Sequence, residues 1–222
     1  PSCPSPDRHS DRSALLVASL VVVVAAHAQE VPAAIVTNAI ESQTIKPSKD
    51  KYFYVYADKG DIRNHFIPSG WMGNYGSLKL EVGATDTVAD GRTSIRWTYD
   101  GKNAQGAGWA GAYWQAAPND WGENPKGYNL QGFKRLTFYA KANSNGVTIN
   151  EFKVGGITGT YPDSDSQTIG PITLTKDWKR YEIDLKDKDL SHINGGFCFS
   201  TADDNVPATG YTMWLDEIRF ER

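Results

Sequence analysis

From residue 51 to the C-terminus, apolar and polar residues alternate with a period of two, and turn residues cut the alternation into short pieces. KYFYVY ends at Lys59-Gly60, SLKLEVG alternates Leu78, Leu80 and Val82, and TSIRWTY turns at Asp100-Gly101. FKRLTFYAKA turns at Asn145-Gly146, and VTINEFKVGG, QTIGPITLT, WKRYEIDL, GGFCFST and YTMWLDEIRF follow. Successive strand side chains point to opposite faces, so this period marks strands with one buried face. No window keeps a helical period over three turns; residues 185–193, LKDKDLSHI, are expected to form at most one helical turn. Short strands at regular spacing, bounded by Gly, Asn, Asp and Pro, predict an all-β antiparallel sandwich of the jelly-roll kind. One of its two sheets is free to be concave and line a groove.

The first fifty residues read differently. Residues 14–26 are an apolar run of about 13 residues, the length of a signal-peptide core and too short to span a bilayer. Ala26-His27-Ala28 supplies the small residues of a cleavage site. Residues 1–28 are therefore expected to be a signal peptide, with a short membrane anchor as the alternative. Residues 29–50 are a polar leader, expected to be poorly ordered, and residues 51–222 one domain. The mature chain is then secreted, extracellular or periplasmic, with no membrane insertion. Cleavage removes Cys3 and leaves Cys198 alone, expected as a buried small hydrophobe in GGFCFS.

The net charge of -3 argues against a nucleic-acid partner. Aromatic residues make up 12%, with seven Trp and eleven Tyr, which suits a sugar-like ligand better than a polyanion. In GWAGAYWQAAPNDWG, a strand over WAGAYWQ puts Trp109, Gly111, Tyr113 and Gln115 on one face and Ala110, Ala112 and Trp114 on the other. The second face reads as core. The first mixes flat rings with an amide, as a sugar site would. Trp121 and Trp71 are read in loops, where a tryptophan can stack on a ligand or plug the end of a sandwich. Trp97, Trp178 and Trp214 are read as core. The expected carbohydrate contacts are Trp71, Trp109, Tyr113 and Trp121 for stacking, with Gln115, Arg96 and Asp163 for orientation.

FIPSGWMGNYG, GWAGAYWQ…NDWG, LTFYAKA, FKVGGI…YPDSDS, ITLTKDWKRYEIDL and YTMWLDEIRF together resemble bacterial carbohydrate-binding modules of the galactose-binding-like jelly-roll group. The resemblance covers nearly all of residues 51–222 and implies polysaccharide or oligosaccharide binding without catalysis. It leaves the sugar open, and implies a separate catalytic partner. It also implies a structural calcium between the first and last strands, held by Asp216 with Asp58 or Asp61.

Two rivals remain on the residues alone. A sandwich hydrolase needs a carboxylate pair; YEIDLKD offers Glu182 and Asp184, but Lys186 stands where a third carboxylate would complete the pattern. A lyase needs a base beside a cation, for which His65, Arg63 and Tyr75 are the available trio. The second rival is an assembly protein whose exposed rings mark an interface and whose leader donates a strand to a neighbour.

Overall fold

The computed structural model describes residues 46–222 apart from Val206, Ala208 and the side chain of Asp203; the expected signal peptide and most of the leader lie outside the described residues. Thirteen strands are described: β1 Tyr52–Tyr56, β2 Ile67–Gly73, β3 Leu78–Ala84, β4 Ser94–Tyr99, β5 Trp109–Gln115, β6 Arg135–Ala142 and β7 Val147–Ile149. They continue with β8 Glu151–Gly155, β9 Ser166–Ile169, β10 Ile172–Leu174, β11 Lys179–Asp184, β12 Gly195–Ala202 and β13 Tyr211–Glu221. One sheet runs β11-β6-β13-β4-β3 with β1 also on β13, a second runs β2-β5-β12-β8-β9, and β7 and β10 form a small ribbon. The strand pairs within both sheets are antiparallel. The expected sandwich is present.

The core is aromatic and ties the two sheets together. Phe138 of the six-stranded sheet meets Phe197 of the five-stranded one at 5.1 Å between ring centroids, and Trp97 meets Phe199 at 5.1 Å and Trp114 at 5.8 Å. These edge-to-face contacts are favoured by the ring quadrupoles and add to the area term. Trp97 is buried, as the alternation of β4 requires.

β13 organises the larger sheet. A bulge between Asp216 and Arg219, with Glu217 at φ 48, shifts its register. Residues on the N-terminal side of the bulge pair with β4, and those on the C-terminal side pair with β1. A bulge bends a strand and increases its twist, which suits a strand that serves two different neighbours along one edge.

Four sequence expectations differ from the structure. Residues 67–73, read as a loop around Trp71, form the edge strand β2. Pro68 and a bulge before Gly70 hid the strand, and both are the usual marks of an edge. Residues 185–193 contain a turn at Lys186–Asp187 instead of a helical turn. Trp178 and Trp214 are half-buried on the outer face of the six-stranded sheet, where Lys141 lies 5.9 and 5.6 Å from their rings. Finally, the end of the leader is fastened to the sandwich: Ser48 N–H donates to the Asn129 carbonyl, and Arg222 donates to the carbonyls of Ser48 and Asp50.

Candidate binding groove

β5 follows its sequence pattern. Ala110, Ala112 and Trp114 join the main core, while Trp109, Gly111, Tyr113 and Gln115 face outward from the five-stranded sheet. The outward face is not flat. A groove of about 300 Å³ runs over it, lined by Met72 of β2, Trp109 and Tyr113 of β5, Trp121, and Lys153 of β8 among others. That volume is at the small end of ligand clefts. Its floor is a satellite cluster of Tyr113, Ile157 and Cys198, with Met72 and Trp121 packed against it.

Each ring has a defined setting. Trp109 opens β5 and is 40% exposed. Tyr113 lies lower: its hydroxyl donates to the Gly155 carbonyl at 3.0 Å, and burial pushes its pKa up. Trp121 stands edge-on to Tyr113 with centroids 5.9 Å apart. Between the rings Gly111 keeps the floor low, since a Cβ there would lie 2.6 Å from the Phe199 carbonyl oxygen.

The loop that carries Trp121 is built around Asp120. One oxygen of its carboxylate accepts the N–H groups of Gly122, Glu123 and Asn124 at 3.0, 2.9 and 3.2 Å. Its main-chain carbonyl accepts from Gln115 Nε2 at 2.8 Å and Asn194 Nδ2 at 3.0 Å. The Trp121 indole N–H donates to Asn119 Oδ1 at 3.1 Å. An aspartate collecting successive N–H groups is the usual way to fix a tight loop.

Of the residues expected from sequence, Trp109, Tyr113 and Trp121 come together on this face. Gln115 and Asp163 belong to its foundations. Gln115 is fully buried, with its carbonyl accepting from Ser69 Oγ at 2.8 Å and its amide holding the Asp120 loop. Asp163 accepts N–H groups from Ile157, Asn194 and Gly195, which joins the loop after β8 to the start of β12. Burial raises its pKa and those backbone bonds pull it back. Two expected residues lie elsewhere. Arg96 is on the outer face of the opposite sheet, paired with Glu81 and Asp86. Trp71 pairs in register with Ala112, so it points to the inner face, where it packs edge-on to Trp97 at 5.3 Å. Sequence reasoning missed Met72, Glu151 and Lys153. The period of two puts residues 151 and 153 outward, but only the pairing of β8 with β12 sets them beside the β5 rings.

The expected calcium ligands do not fit a shared cation site. Asp61 is taken by Arg63 at 2.6 Å. Asp58 Oδ1 accepts from the N–H groups of Arg92 and Thr93 and from the Thr93 hydroxyl. Asp216 accepts from the N–H groups of Ala89, Asp90 and Glu217. A hard cation needs several oxygens converging with free lone pairs. Here most of the lone pairs face N–H donors, Asp58 Oδ2 lying 3.8 Å from Arg92 Nε, and among the described residues no group of three His, Cys, Asp or Glu is placed to hold a metal. The carboxylates instead pin residues 89–93 to the end of β1 and to the bulge in the middle of β13.

A larger concavity, about 440 Å³, lies beside β1 and is lined by Tyr52, Tyr54, Ile62 and Arg63. Its rings are already covered: Arg63 stacks on Tyr54 at 4.6 Å and Arg219 on Tyr52 at 4.5 Å. The lyase trio is not assembled there. His65 stacks on Phe53 at 3.8 Å, just before β2, while Tyr75 follows β2. The length of a seven-residue strand, about 20 Å, separates them. Glu182 is on the opposite sheet, 3.7 Å from Arg135 and 3.9 Å from Arg180, and Asp184 accepts from Lys186 N–H.

No protein-family model matches the sequence, and no curated protein matches it. Solved structures do. A family 30 carbohydrate-binding module aligns with a TM-score of 0.54 at 17% identity, covering 78% of this chain and 88% of that one. The family 30 module of a cellulosomal cellulase of Clostridium thermocellum aligns with a TM-score of 0.51 at 18% identity, covering 76% of this chain and 96% of that one. The fold is that of a carbohydrate-binding module. At these identities the likeness concerns the arrangement of strands, and the function of the groove has to be argued from its own residues. Among the described residues no helix is long and apolar enough to cross a membrane.

Proposed function

We propose that this chain is a secreted, non-catalytic carbohydrate-binding module that holds a polysaccharide in the groove on the outer face of the five-stranded sheet. The observation that carries the reading is the placement of Trp109 and Trp121 on that face, with Tyr113 and Met72 filling the floor between them. Flat rings on a rigid sheet face present apolar area at low entropic cost, and the C–H face of a pyranose packs on them while its hydroxyls seek polar neighbours. The polar neighbours here are Glu151, Lys153 and Thr158. The shared fold with modules named for carbohydrate binding supports the same reading.

Catalysis is disfavoured by the chemistry of the lining. Glycoside hydrolysis requires two carboxyl groups across the scissile bond. Among the described lining residues Glu151 is the one carboxylate, and Asp163 nearby is committed to backbone N–H groups. The test is direct: binding to a panel of insoluble and soluble polysaccharides, with reducing-end release followed in parallel. Retention on one or more of them without release supports the proposal, and release of reducing ends overturns its non-catalytic part.

A further inference from the structure

Lys153 is the one cation lining the groove among the described residues, and it has no acidic partner. It sits half-buried on the outer face of β8, its ammonium drawn over Gly156 toward Tyr113. A Cβ on Gly156 would lie 2.7 Å from Lys153 Nζ and 3.4 Å from the Tyr113 hydroxyl, so the missing side chain at 156 is the space the lysine occupies. Among the described residues Lys153 forms no ion pair, unlike Lys188, which pairs with Asp165 at 3.2 Å. The other charge of the groove, Glu151, lies two residues away on the same face; its carboxylate accepts from Ser200 Oγ at 3.2 Å and does not turn to Lys153.

An ammonium on a half-buried side chain is stabilised more by an anion than by a hydroxyl, because opposite charges add a Coulomb attraction that a neutral acceptor lacks. Glu151 limits what that anion is attached to. A chain with a carboxylate on every residue would set one against Glu151, whereas a chain whose residues are mostly uncharged meets Glu151 with hydroxyls. We infer that the groove prefers a largely neutral glycan bearing an occasional carboxylate-containing sugar, with Lys153 as the residue that recognises the carboxylate. This rests on the reading of the groove as a polysaccharide site.

The experiment compares glucuronoxylan and xanthan in native form with the same polymers after their carboxyl groups are reduced to alcohols. Polygalacturonate and neutral glucans and xylans complete the set, and the proteins are wild type, Lys153→Met and Trp109→Ala. Methionine keeps the length of the aliphatic stem, and matched melting curves establish that the fold is intact. The expected result is that the native form of a bound polymer binds about tenfold more tightly than its reduced form, the Coulomb gain of a partly buried ion pair being of that scale. Salt should narrow the difference, polygalacturonate should bind more weakly, and Lys153→Met should abolish the preference, binding the native and reduced forms of a polymer alike. Equal or tighter binding of the reduced polymer, an unchanged preference in Lys153→Met, or binding confined to wholly neutral glycans overturns the inference and leaves the groove reading standing. If no polysaccharide binds, or Trp109→Ala binds every polymer as wild type does, the groove reading fails and this inference with it.

Discussion

Trp109 stands at the start of β5 with 40% of its surface open, and the backbone beneath it is held by the β5–β12 ladder. Removing an exposed ring from a rigid strand disturbs little packing, so Trp109→Ala should change stability by no more than about 0.5 kcal/mol. Truncating a stacking anchor should weaken binding by about 1–3 kcal/mol, the scale of an interface hot spot. Trp71 is the instructive contrast. It is 37% exposed, yet its ring lies on the inner face against Trp97. Trp71→Ala should lower stability by about 1–2 kcal/mol and leave affinity for the glycan unchanged. Calorimetric affinity and melting, measured together on both variants, separate the two roles. Cys198 is buried on the groove floor, and burial raises its pKa, so it should react slowly with thiol reagents in the native protein.

At the scale of elements, the loop after β5 decides where Trp121 stands, and Gln115 decides where that loop stands. Gln115→Ala would remove one of the two side-chain donors to the Asp120 carbonyl and one partner of the Ser69 hydroxyl, and open a small cavity. Stability should fall by about 2 kcal/mol, and binding should weaken through Trp121 although residue 115 touches no ligand. Hydrogen exchange in residues 116–124, faster in the variant than in wild type, would show that the loop has loosened; unchanged exchange would count against this linkage. Much of the element structure was legible in the alternation, including β1, β3 to β6 and β11 to β13. β2 was not, because an edge strand tolerates the proline and bulge that usually announce a loop. The groove was half legible for a related reason. A period of two reports which residues share a face of one strand, so Trp109 and Tyr113 could be grouped. It does not report which strand lies next door, so Lys153 and Glu151 were missed and Arg96 was grouped with residues of the other sheet.

At the scale of the whole molecule, the outer face of the six-stranded sheet is held by charge. Glu221 is buried among Arg135, Arg180 and Arg219, at 3.0, 3.2 and 3.0 Å, with Thr137 Oγ1 also donating to it. Burial works against its charge, but the bonds from Arg219, Arg135 and Thr137 prevail and hold its pKa at about 2. A carboxylate depressed in the folded state stabilises the fold at pH values above its unfolded pKa, near 4.3. That contribution should be lost as the pH falls from there through about 2. Glu221→Gln should cost about 1–2 kcal/mol at neutral pH, because three partly exposed arginines lose the carboxylate they share, and should flatten the acid limb of a melting-temperature profile. The first and last strands are joined by carboxylates that hold backbone N–H groups, so a chelator should leave the melting temperature unchanged. A fall that added calcium reverses would show a metal site instead.

The location of the binding face is tested most directly by placing substitutions on both sheets at once. Trp109→Ala and Trp121→Ala remove rings from the groove, and Trp214→Ala removes a comparable ring from the outer face of the six-stranded sheet, where it bonds Asp86 at 3.2 Å. Each would be titrated by calorimetry with the tightest ligand from a polysaccharide panel, at matched fold stability. The expected result is a loss of about tenfold or more in affinity for each groove variant, with Trp214→Ala binding as wild type. Unchanged affinity in both groove variants, or a loss confined to Trp214→Ala, would contradict the assignment of the groove as the carbohydrate site.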